Sequence, residues 1–132
     1  MDYNLPVFTV ALLLASAAYV SPQPGGGGNQ QYPDVLEAKV RSRGGNTFDF
    51  DVTISSPYDT AKRYADAFRV LGSDGTVYGE RILLHDHSTE QPFTRDLYGV
   101  TIPPGITSVI VQGRDKKHGY GGKTIKVTLP GR

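Results

Sequence analysis

A chain of 132 residues has room for one domain with a modest core, and 38% apolar content beside 16 glycines and 9 prolines indicates many turns. A net charge of +1, with no stripe of Lys and Arg interleaved with aromatics, speaks against nucleic acid as a partner. The lack of cysteine excludes disulfides, thiol nucleophiles, cysteine metal ligands and a lipidated cysteine, and the lack of tryptophan leaves the aromatic core to Phe and Tyr.

The chain opens on a nearly uncharged apolar stretch, VFTVALLLASAAYV at 7–20. It is shorter than the about 20 residues that a membrane-spanning helix needs. Ala15, Ser16 and Ala17 are the small residues a signal peptidase requires. Residues 1–17 are therefore predicted to be an export signal cleaved after Ala17, leaving no stable transmembrane span. Asp2 without any Lys or Arg before the apolar run keeps a retained N-terminal anchor as the alternative. Residues 18–32, with SPQPGGGGNQQ, read as a flexible Gly/Pro/Gln linker. The folded domain is expected over 33–132.

From there the apolar pattern has period two, which is the signature of half-buried strands. A weakly alternating strand at 35–43 ends in the turn Gly44-Gly45-Asn46. Phe48, Phe50, Val52 and Ile54 then alternate strictly with Asp49, Asp51, Thr53 and Ser55. Tyr64, Asp66, Phe68 and Val70 predict a third strand, and the turn at 72–75 leads to a fourth over 76–84. Strands at 94–102, 107–113 and 124–129 complete seven, the last two separated by a glycine-rich loop. Ala61 to Ala67 has local helix propensity, but Pro57 and the following strand pattern confine it. Seven short strands with regular turn signals predict an all-β fold, a seven-stranded antiparallel immunoglobulin-like or fibronectin-like sandwich.

Strand direction alternates in such a fold, so the connections at 56–63, 85–93 and 115–122 are predicted to share one end. They carry all three histidines, His85, His87 and His118. If the fourth strand continues through His87, His85 and His87 project from one face about 6.6–6.8 Å apart. With Glu90 and His118 they could hold zinc or copper, whereas the bland reading is loop histidines facing water. Phe93 is expected to plug the end of the sandwich. Arg95 is expected to pair with Glu90 or Asp96, or to hold an anionic ligand bidentately. Asp115 is expected to cap its loop through backbone N–H groups, with Tyr120 at the loop tip as a contact residue. Tyr58, Arg95, Asp115 and Tyr120 are the candidate binding residues. Ser56, Ser88 and Thr94 lack a G-x-S-x-G context, and an acid pair drawn from Asp59, Asp86 and Glu90 would lie in open loops. Catalysis is therefore not expected.

The stretch from Phe68 to Pro130, above all EQPFTR at 90–95 and HGYGGK at 118–123, resembles small, exported, uncharacterised bacterial proteins. The resemblance implies a periplasmic or secreted single domain with an immunoglobulin-like fold. The functional expectation is an exported, non-enzymatic binding or accessory domain. It would act through the loops of one end on a protein, a glycan or an envelope component. A periplasmic zinc or copper protein using His85, His87 and His118 is the alternative.

Overall fold

The computed structural model describes residues 29–132. The predicted export signal and most of the predicted linker lie outside them. Seven strands form: β1 (Asp34–Gly44), β2 (Thr47–Ser55), β3 (Ala65–Leu71), β4 (Val77–Ile82), β5 (Phe93–Thr101), β6 (Ser108–Asp115) and β7 (Gly119–Thr128). They build two antiparallel sheets, ordered β1-β2-β5 and β4-β3-β6-β7, packed as a β-sandwich.

Alternation along β2 explains the core. Phe48, Phe50, Val52 and Ile54 are all buried and face Phe68, Val70, Val109 and Val111 of the other sheet. Asp49 breaks the pattern by being buried too. The register slips between Phe48 and Phe50 opposite β5. This slip lets Gly99 N–H reach Asp49 Oδ1 at 2.9 Å, while Arg43 Nε lies 2.7 Å from Oδ2. A second slip, between Ala65 and Ala67 opposite β6, takes Asp66 out of the set with Phe68 and Val70. Asp66 instead receives Arg114 Nε at 2.8 Å. Bulges of this kind re-aim single side chains without ending a strand.

Two expected strand limits need correction. The fourth strand ends at Ile82 rather than at Leu84 or His87. Leu83 N–H still reaches Asp66 O at 2.9 Å, and Asp86 Oδ1 then accepts both the backbone N–H and the hydroxyl of Ser88, which turns the chain away from β3. The last strand begins at Gly119, so the glycine-rich segment is strand, not loop: Gly119, Tyr120 and Gly121 pair with Asp115, Arg114 and Gly113. Glycine is needed here because the incoming segment crosses the sheet. A Cβ on Gly113 would lie 2.7 Å from Pro33 Cγ, and one on Gly121 would collide with the Tyr32 ring.

One lateral seam of the sandwich, between β1 and β7, is thereby closed by Tyr32 and Pro33. At the opposite seam β4 faces β5. Gly79 packs there against Leu97 and Val100, and Arg81 Nη1 donates to Asp96 Oδ1 at 2.9 Å.

Candidate functional site: a braced loop end

The β2–β3, β4–β5 and β6–β7 connections do meet at one end, joined by buried polar side chains. Asp59 accepts Ala65 N–H on Oδ1 at 3.1 Å and His87 N–H on Oδ2 at 3.0 Å, tying the first loop to the second. Burial raises the Asp59 carboxyl, with these two N–H groups acting against the rise. Gln91 makes a second tie. Its Oε1 accepts Ser56 N–H at 2.8 Å, and its Nε2 donates to Ser56 Oγ at 3.2 Å and His87 O at 3.1 Å. Of the five buried polar residues among those described, Ser56, Asp59, His87 and Asp115 belong to this end and only Asp49 does not. Buried polar groups are costly unless fully bonded, so their concentration here marks loops held in one conformation.

The third loop is braced by Asp115. Its Oδ2 accepts the N–H groups of Lys117 and His118, each at 2.9 Å, as the capping expectation required. Arg63 Nε sits 3.2 Å from both carboxylate oxygens. The Tyr58 hydroxyl and Asp115 Oδ1 are both buried near each other, and neither makes a regular hydrogen bond among the described residues. Burial pulls the Asp115 carboxyl up. Tyr58, the two backbone N–H groups and Arg63 outweigh it and hold the group below its ordinary range. Burial first, then Asp115, pushes the Tyr58 hydroxyl well above the ordinary phenol value. The Arg63 guanidinium also lies over the Tyr58 ring at 4.1 Å, and its Nη2 donates to Gln30 O at 2.7 Å and Gln31 O at 2.8 Å. One arginine thus fastens the entering segment, the first loop and the third. Sequence reasoning passed over Arg63 and Gln91 and weighed Asp59 only as a member of an acid pair. The one available signal was a long loop without glycine, which needs side-chain struts to stay in place.

The four expected metal ligands are not brought together. His85 and His87 are neighbours, with ring centroids 4.7 Å apart and planes tilted by 40°. They do not project side by side from a strand, because β4 has already ended. Glu90 is held by Arg95 at 3.2 Å, and Arg95 first, through its hydrogen bonds, lowers the Glu90 carboxyl. His118 lies on the β6–β7 turn against Tyr32, at a centroid distance of 6.1 Å. Strand β3 separates β4 from β6, which sets His118 about 10 Å or more from the other pair. Among the described residues no three His, Cys, Asp or Glu side chains gather to hold a metal ion.

His87 is the unusual member. Its ring lies flat on Phe93, with centroids 3.9 Å apart and planes at 11°, and Phe93 is buried at the sandwich end as expected. Both His87 ring nitrogens are buried without a hydrogen-bond partner. Burial, then Arg95 and His85, lowers its pKa from 6.5. A base whose folded pKa is depressed binds its proton more readily when unfolded, so it withdraws stability as pH falls. The denaturant midpoint is therefore expected to decline from about pH 6.5 down to the lower folded value, with a slope of at most about 1.4 kcal/mol per pH unit. Asp59, shifted upward, acts in the opposite sense. His87→Phe, which keeps the stack, should abolish the decline in urea titrations taken at successive pH values; an unchanged decline would assign it to another group.

Tyr120 is not at a loop tip. It lies within β7, with Arg69 over its ring at 3.8 Å and Arg114 at 5.6 Å, and its hydroxyl contacts Glu80. Burial and Glu80 push that hydroxyl up. With Asp66 on Arg114 and Gln112 on Arg69, this is a polar ladder across β4, β3, β6 and β7. The larger of two recesses, about 250 Å³, lies at the other end of the sandwich between 72–78 and 105–108. Its Asp74 carboxylate is committed to Thr76 N–H at 3.0 Å. The smaller, about 130 Å³, lies at the histidine end and is lined by Arg81, Ile82, Leu83, Leu84, His85, His87 and Arg95.

Comparison with known proteins finds a curated relative, "Putative lipoprotein" of Halomicrobium mukohataei, that is 40% identical over 94 residues. The match covers 71% of this chain and 46% of the relative, so the chain spans about half the length of that protein. That relative is archaeal, whereas the resemblance drawn from EQPFTR and HGYGGK pointed to bacterial proteins. No family model matches the chain, and no solved structure matches it.

Proposed function

We propose that this protein is an exported, non-enzymatic binding or accessory domain that engages its partner through the three braced loops. The observation that carries the reading is the pair of buried acids, Asp59 and Asp115, which fasten these loops to one another and to Gln30 and Gln31 through Arg63. Loops that are already rigid lose little entropy on binding, which is how a scaffold presents a recognition surface. Pro57, Thr60, Lys62, Leu84, His85 and Lys117 are among the exposed residues they carry outward. The buried acids of this end are spent on backbone N–H groups and on Arg63 rather than pointed into a common cleft, which supports binding over catalysis. The strand order, β5 beside β2 and β3 between β4 and β6, supports an immunoglobulin-like or fibronectin-like assignment. The relative's name supports a location outside the cytoplasm. None of these 132 residues offers a thiol for a lipid. The partner class is a protein, a glycan or an envelope component.

The test is retention of the full chain on immobilised envelope proteins, glycans and lipid vesicles. Lys62→Glu with Lys117→Glu should abolish retention, and Ser73→Glu with Thr107→Glu at the opposite recess should not. Retention lost only with the second pair would move the site to the other end and overturn the reading.

A further inference from the structure

The smaller recess has a composition that the loop surface alone does not explain. It opens where β4 and β5 end beside each other, and two guanidiniums from opposite sheets meet in it. Arg81 gives Nη1 to Asp96 O at 2.7 Å and Asp96 Oδ1 at 2.9 Å, which leaves its Nε and Nη2 without a partner among the described residues. Arg95 gives Nη1 to Thr94 O at 2.7 Å and both terminal nitrogens to Glu90, at 3.4 and 3.2 Å, which leaves Nε. His87, only 4% exposed, lines the same recess with neither ring nitrogen bonded. Opposite these donors the wall is apolar: Ile82 is 46% exposed and Leu84 83%. Leu84 is by far the most exposed large apolar side chain among those described.

Building on the loop-end reading, we propose that this recess binds a carboxylate carried on a short aliphatic group, with Arg81, Arg95 and His87 holding the carboxylate and Ile82 and Leu84 covering the aliphatic part. Two guanidiniums repel a metal cation and present the forked N–H geometry that matches a carboxylate. Burial keeps the His87 ring neutral, with one N–H to give. A volume of about 130 Å³ corresponds to about four water molecules, enough for a carboxylate and two or three carbons. A free short-chain acid and the C-terminal residue of a polypeptide both present this group.

The experiment is a nuclear magnetic resonance titration of the full chain with isobutyrate, isobutyramide, a short peptide ending in valine, the same peptide as its C-terminal amide, and zinc. Isobutyrate should give saturable shifts at Arg81 Nε–H, Arg95 Nε–H and the His87 ring, with Kd on the order of millimolar, a weak affinity suited to so small a ligand. Isobutyramide should give none. Arg81→Gln should weaken binding at least about tenfold, the loss of one charge-assisted contact. The milder surface change Leu84→Ser should weaken isobutyrate but not acetate. A response to the valine peptide that its amide lacks would assign the carboxylate to a chain end, and binding of isobutyrate with no response to either peptide would assign it to a free acid. No saturable shift, equal shifts from the amide compounds, or zinc binding at His85 and His87 in place of isobutyrate would overturn the proposal. The Lys62→Glu, Lys117→Glu protein should still bind isobutyrate, so failure here and failure of the loop-end reading are separate results.

Discussion

Asp115→Ala is expected to destabilise the protein by about 3–5 kcal/mol, the range seen when one member of a buried ion pair is removed. The side chain is fully shielded from solvent, whereas its partner Arg63 is 26% exposed. Truncation therefore leaves a guanidinium half-buried without its counter-charge. It also leaves the N–H groups of Lys117 and His118 without their acceptor, and takes from the buried Tyr58 hydroxyl the carboxylate beside it. Each orphaned donor adds about 1–3 kcal/mol if it stays dry, although the turn amides can recover water. Asp115→Asn keeps an acceptor for the turn but loses the charge, so its cost should fall between the parent and the alanine variant. Urea unfolding measures both. The Asp115→Ala, Arg63→Ala double variant should lose less than the two single losses together, because the stranded charge is gone. Strict additivity, or an alanine variant within about 0.5 kcal/mol of the parent, would mean that the loop end does not depend on this cluster.

What could be read from the chain and what could not divide along a physical line. Strand geometry has a period of two, so Phe48, Phe50, Val52 and Ile54 announce β2 and its buried face without any other information. Seven strands in two sheets, and three loops at one end, follow from counting directions. Asp49 and Asp66 defeat the same rule: an extra residue in β3 takes Asp66 out of the buried set, an extra residue in β5 turns Gly99 N–H onto Asp49, and neither bulge leaves a mark in the apolar pattern. The glycines at 119, 121 and 122 look like loop punctuation. They are strand residues; Gly119 takes a positive φ, and the missing side chains of Gly121 and Gly122 make room for Tyr32 and Pro33, a contact between segments about ninety positions apart. The histidine grouping failed for a related reason. Sharing an end of the sandwich does not bring side chains within bonding distance when β3 stands between their strands. Arg63 was overlooked because its partners Gln30, Tyr58 and Asp115 carry no local signature that joins them.

Phe93→Ala is the second large effect, expected at about 3–5 kcal/mol from lost apolar burial and the cavity left behind. Phe93 begins β5 opposite Ile54, is 1% exposed, and fills the core at the point where the β4–β5 loop enters the sheet. Its ring is also the floor on which His87 lies. Removing that floor should admit water to the imidazole, so the His87 pKa should return toward 6.5 along with the loss of stability. Phe50→Ala supplies the control. It deletes an equally buried ring from the same core and should cost a similar amount, yet leave the His87 titration where it was. If both variants shift His87 alike, the depressed pKa reflects general loosening rather than the stack. If neither does, burial by the loop itself keeps His87 neutral, and Phe93 contributes to the core alone. A shift confined to Phe93→Ala would tie the recess to the core through one aromatic contact, so that a ligand held by His87 would draw on the rigidity of the whole sandwich rather than on its own loop.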